Sequence, residues 1–160
     1  MTSEIQIFEV FLLVYMAFNC YTDFKWLITK NIWHLTFLNC IAFYSLVAKT
    51  IPDMLIMMAF GFFLAYILSK RPGVELGAGD IKMLTVIASC FGVVYGVVIS
   101  KFVIFVLLYL FSDLLIGIIF HVISKRYKKT IRFGSYKIEN GYIEMPQAIP
   151  LFIACVLIII

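Results

Sequence analysis

Apolar residues gather along the chain in six runs, at about 5–22, 32–48, 53–69, 81–99, 102–123 and 147–160. Each is of spanning or near-spanning length, since an α-helix needs about 20 apolar residues to cross roughly 30 Å of hydrocarbon. The pattern predicts six membrane helices. Ile51, Pro52 and Asp53 make a tight break between the second run and the third. Between the fourth and fifth, two positions offer a turn, Gly92–Gly96 or Ser100–Lys101. The longest polar stretch, SKRYKKTIRFGSYKIENGYIEMP, carries turn formers at Gly134, Asn140 and Gly141 and alternates partly between polar and apolar positions. That alternation predicts a short hairpin.

Composition restricts the class. The chain has 160 residues, 64% of them hydrophobic, where a soluble domain has roughly 45–50%. Charged residues are 14% of the total, too few to cover a water-facing surface. The reading is one integral, all-α polytopic domain over residues 1–160. Glu4 and Glu9 precede or open the first apolar run and no basic residue does, unlike a cleaved signal with a positive n-region, so the first span is predicted to be retained. Cys20, Cys40, Cys90 and Cys155 stand singly in apolar runs without paired spacing, which makes them packing residues. No metal or cofactor is implied by any His, Cys or Glu spacing.

Charge sets an orientation. With the N-terminus outside, the loops at 23–31, 70–80 and 124–146, together with Lys82, face the cytosol and hold 11 of the 13 Lys and Arg residues. Lys49 and Lys101 alone stay on the other side. This positive-inside bias predicts that both termini face outward in a cell membrane. It also explains the net charge of +4, so KRYKK reads as a juxtamembrane anchor near anionic lipid and not as a nucleic-acid site.

The same topology puts two carboxylates on one face. Asp23, in CYTDFKWLITKN, closes the first helix at the cytosolic side, and Asp80, in GAGDIKM, opens the fourth. An ionisable group entering hydrocarbon is costly and calls for a reason. Two close carboxylates cannot both ionise cheaply, so they share a proton. The ionised one can then take a proton from an attacking water while the protonated one donates to a peptide carbonyl. Helix capping is the other account, with Asp80 as an N-cap or first-turn acid favoured by the helix dipole. Gly77 and Gly79 leave room for an extended substrate strand near Asp80, or simply form a turn.

GAGDIKM resembles the GxGD signature of the type IV prepilin peptidases and archaeal preflagellin peptidases, membrane aspartic proteases whose GxGD aspartate starts the fourth helix. YTDFKWLITKNIW is similar to the family's first motif, an Asp ending helix one with an Asn eight positions later, here Asp23 and Asn31. MPQAIPLFIA, from Met145, resembles the proline-containing start of the last helix. Where members often carry Ile-Pro before that Asn, this chain has Thr29 and Lys30. The resemblance covers essentially the whole chain. It implies a catalytic pair, Asp23 and Asp80, with Gly77 and Gly79 as motif backbone and no metal. The implied partner is a membrane-inserted prepilin-like substrate, cut at the cytosolic face before its apolar helix. Longer members have an N-terminal cysteine-containing segment associated with N-methylation; its absence implies peptidase activity without methyl transfer.

Other polar residues fall into place around this reading. Asp113 lies about ten residues from the cytosolic end of the fifth run, roughly 15 Å deeper than the pair at ~1.5 Å per residue, which favours a packing or hydrogen-bonding role within the bundle over a substrate-channel or proton-path role. Glu9 is expected at the outer interface, Lys82 as an orienting charge, and His34 and His121 as isolated interfacial side chains. Gly92 to Gly96 matches GxxxG, either a turn or an internal packing face. A function of another class, a small transporter or assembly subunit using Asp80 and Asp113 as ion or proton groups, stays open.

Overall fold

The computed structural model describes residues 2–26, 28–70, 76–127, 132–133, 136–139, 142–144 and 146–159. Among them the chain forms six helices, α1 (Thr2–Trp26), α2 (Asn31–Ala48), α3 (Ile51–Ser69), α4 (Ala78–Tyr95), α5 (Ile99–Tyr127) and α6 (Ala148–Ile159). Between α5 and α6 lie three short strands, β1 (Arg132–Phe133), β2 (Tyr136–Glu139) and β3 (Tyr142–Glu144). Five helices are long and apolar enough to cross a membrane. The sixth has 12 residues, about 18 Å at ~1.5 Å per residue, shorter than the roughly 30 Å hydrocarbon core. The protein is an all-α polytopic membrane protein. Arg71, Lys128, Lys129, Gly134, Asn140, Gly141 and Met145 lie outside the described residues.

Local chemistry sets the boundaries. Lys49, in the left-handed region at φ 59°, closes α2, and Thr50 donates its N–H to the Ser45 carbonyl at 2.9 Å. Pro52 then sits in the first turn of α3, where its missing N–H costs nothing, with Asp53 beside it at the positive end of the helix dipole. The α4–α5 turn falls at Gly96–Val98, nearer the first of the two positions open in the sequence. Gly96 adopts φ +73°, which favours glycine. The strands pair antiparallel in the order β1-β2-β3, with Glu139 opposite Tyr142, the register of the hairpin expected from the sequence.

Helix α4 is the centre of the bundle. Met83, Leu84 and every residue from Val86 to Val93 are buried, so almost its whole circumference is covered by protein. Glycine permits the closest contacts with α3. A Cβ on Gly92 would lie 2.5 Å from the Asp53 carbonyl oxygen and 2.9 Å from Met54 Cα, and one on Gly61 would collide with the Ala88 methyl. Gly92 thus serves an internal packing face while Gly96 makes the turn. The outer helices turn large apolar side chains outward instead: Phe43, Val47 and Ile7 are 72%, 69% and 67% exposed, a surface suited to lipid and not to water.

At the end of the bundle away from Asp23 and Asp80, α1, α4 and α5 are joined by polar contacts. Tyr95 donates its hydroxyl proton to Glu9 Oε1 at 2.5 Å, and the Lys101 ammonium stands 3.3 Å from the Tyr95 ring centroid. Tyr95→Phe keeps the ring and removes the hydrogen bond. The expected result is a loss of about 1–2 kcal/mol in stability, read as a lower thermal midpoint in detergent.

Candidate functional site

Asp23 belongs to the last turns of α1, which continues to Trp26, so the carboxylate stands about one turn inside the helix end. It is buried, with 5% of its surface exposed. Its Oδ2 accepts the N–H of Ala148, the first residue of α6, at 2.9 Å. A helix N-terminus carries unpaired N–H groups and partial positive charge, so a buried carboxylate there is a matched partner. Cys20, one turn earlier on α1, donates its thiol hydrogen to the Ala148 carbonyl at 3.1 Å. The lead-in to α6 is therefore docked on α1 through both backbone groups of one residue.

Asp80 occupies the third position of α4. Its Oδ2 accepts the Gly77 N–H at 2.9 Å, while Gly77 supplies the carbonyl for the N–H groups of Asp80 and Ile81. This is the helix-capping role weighed from the sequence, with Gly77 as the N-cap residue. Asp80 also lies within electrostatic range of Asp23 and Asp113. Among the described residues no hydrogen bond joins the two predicted catalytic carboxylates directly. Each has Oδ2 held by a backbone N–H, and neither Oδ1 has a hydrogen-bond partner among the described residues.

The two glycines of GAGD have different roles from the open space expected around them. Gly77 has φ −66°, which any residue adopts, and a Cβ there would lie 3.3 Å from Asp80 Oδ2. Gly79 faces Thr29, whose hydroxyl occupies the place a Cβ would take. The room beside Gly79 is thus filled by the α1–α2 connection and not left for a substrate strand. Thr29 Oγ1 is in turn bonded to His34 Nε2 at 3.1 Å, and His34 Nδ1 to the Tyr15 hydroxyl at 2.6 Å. His34 is consequently a buried residue, 5% exposed, and not an interfacial one; two hydroxyls satisfy its two ring nitrogens, one as donor and one as acceptor. His121 is exposed on α5.

Lys82, expected only to orient the chain, donates to Asn31 Oδ1 at 2.8 Å and so ties the first turn of α4 to the first turn of α2. The Asp23 and Asp80 motifs, far apart in sequence, meet through two contacts: Gly79 on Thr29 and Lys82 on Asn31.

Asp113 departs from its expected depth. Gln147, immediately before Ala148, donates from Nε2 to Asp113 Oδ1 at 3.2 Å and accepts the Tyr109 hydroxyl proton at Oε1, at 2.7 Å. Asp113 is therefore a neighbour of the Asp23 site and not some 15 Å beyond it. Counting from the end of α5 misplaces it, because α5 is 29 residues long and continues to Tyr127 past the apolar run. Sequence reasoning also passed over Asn19, fully buried one turn before Asp23, whose Oδ1 has no partner among the described residues. A polar side chain inside an apolar run was the available signal.

Comparison of the chain with protein-family models, with curated proteins and with solved structures gives no match.

Proposed function

We propose that this protein is a membrane aspartic endopeptidase that removes a short basic leader from prepilin-like precursors at the cytosolic face. The observation that carries the proposal is that Asp23 and Asp80, on separate helices whose motifs are joined by the Gly79–Thr29 and Lys82–Asn31 contacts, each hold one oxygen on a backbone N–H, while the other oxygen of each accepts no hydrogen bond among the described residues. On this reading the two Oδ1 atoms flank a water. The ionised carboxylate takes a proton from that water as its oxygen attacks the peptide carbonyl carbon, and the protonated carboxylate gives its proton to the carbonyl oxygen. As the resulting gem-diol collapses, the C–N bond breaks, the departing amine receives a proton from the carboxyl that accepted one, and a hydroxyl of the diol returns its proton to the other carboxylate, which restores the starting pair. The 11-to-2 distribution of basic residues supports a cytosolic site with both termini outside. The test is the N-terminal sequence of membrane precursors with basic leaders, in cells with and without this protein. Leaders removed only when the protein is present are expected; leaders retained, or removed, to the same extent in both strains defeat the proposal.

A second reading is favoured by the nearness of Asp113 to the pair. Three carboxylates gathered inside a membrane bundle also suit an ion or proton pathway. It predicts charge-dependent flux in vesicles and no cleavage.

A further inference from the structure

A polar set that the proposed cleavage chemistry does not use joins buried Tyr109 to half-buried Asp113 and Gln147. Tyr109 is 1% exposed, yet its hydroxyl and the Asp113 carboxylate both reach inward to a single amide, that of Gln147. The orientation is fixed by chemistry: Tyr109 donates to Oε1, leaving Nε2 to donate to Asp113. The next residue, Ala148, is fully buried and directs its N–H to Asp23 and its carbonyl to Cys20. Two consecutive residues at the start of α6 therefore bridge α5 to α1. Pro146, fully buried just before them, removes one backbone torsion from the same segment.

We propose that Gln147 is a positioning residue: by clamping the start of α6 to Tyr109 and Asp113, it holds the Ala148 N–H on Asp23 and so fixes the direction of the free Asp23 oxygen. The proposal rests on the peptidase reading for its effect on rate, but its structural half stands apart. Positional errors near 1 Å can cost about a hundredfold in rate, and loss of a single clamp is expected to cost about tenfold. Neither Gln147 nor Asp113 touches the reacting atoms. Both should therefore act on kcat and leave KM unchanged.

The test uses the full chain in detergent or nanodiscs and compares Gln147→Ala with wild type in kcat, KM, thermal midpoint and hydrogen exchange at the Ala148 amide. Expected are a kcat about tenfold lower, an unchanged KM and faster Ala148 exchange. Asp113→Asn, which keeps an acceptor for Nε2, is expected to remain near wild type, whereas Asp113→Leu behaves like Gln147→Ala. Wild-type kcat in Gln147→Ala, a change confined to KM, or a kcat loss without faster Ala148 exchange each overturn the proposal. Should Gln147→Ala fail to fold, the Asp113 pair decides by the same readouts. If wild type cleaves no precursor, the peptidase reading falls, and Ala148 exchange alone then decides whether Gln147 positions the segment.

Discussion

Asp23→Asn and Asp80→Asn are each expected to reduce leader cleavage by about a thousandfold or more, with the protein still folded. General acid–base contributions usually lie near 10²–10⁴-fold, and a shared-proton pair fails when either member cannot exchange a proton. The choice of Asn separates chemistry from architecture. Its carbonyl oxygen still accepts the N–H that each carboxylate now holds, from Ala148 at position 23 and from Gly77 at position 80. A residue that only caps a helix would lose little on this change. Alanine removes the acceptor as well, and at position 80 it should cost about a further 1 kcal/mol of stability. The decisive comparison is cleavage of a co-expressed precursor against thermal midpoint for Asn and Ala at both positions. Activity near wild type in either Asn variant would leave the carboxylate as a cap and remove it from the catalytic pair.

Gly79→Ala is expected to lower cleavage by tens of fold and stability by about 1–3 kcal/mol, the usual range for overpacking. The added methyl overlaps the Thr29 hydroxyl. Thr29 can turn away only by giving up its bond to His34, which is itself held by Tyr15. The strain would therefore spread from the first turn of α4 into α1 and α2, on both sides of the pair. Thr29→Ala in the same chain should restore much of the loss, because the remaining Thr29 Cβ lies 3.5 Å away, an ordinary contact. Rates and melting temperatures of the two single variants and the double variant form the cycle that measures this coupling. An additive result would mean that Gly79 serves something other than its fit against Thr29.

How much of this was legible in the sequence differs by residue. The spans were, because hydrocarbon accepts only long apolar runs whose backbone groups pair internally, and no long-range information is needed to see that. Asp23 and Asp80 could be placed at one end of the bundle because spans that alternate in direction bring the end of the first and the start of the fourth to the same side. The fit of Gly79 could not be read, since its partner Thr29 is 50 positions away and close packing leaves no local pattern. His34 looked isolated because its partners are hydroxyls, which have no characteristic spacing, and one of them comes from another helix. Asp113 was set too deep by counting along a single helix, a procedure blind to how far that helix extends past its neighbours.

The enclosure of α4 has a consequence for how the two carboxylates would come into working contact. A helix sheathed by protein on nearly every side, and interlocked with α3 at Gly61 and Gly92, has no free direction in which to slide or roll. Asp80 stands just ahead of this sheathed stretch, in a part of α4 that is only partly covered but is tied to Thr29 and Asn31 through Gly79 and Lys82. Asp23, for its part, is buried on α1 and fastened to the start of α6 through the Ala148 N–H. With a carboxylate held on each side, working contact between the pair would accordingly pass through a bridging water and not through a shift of either helix.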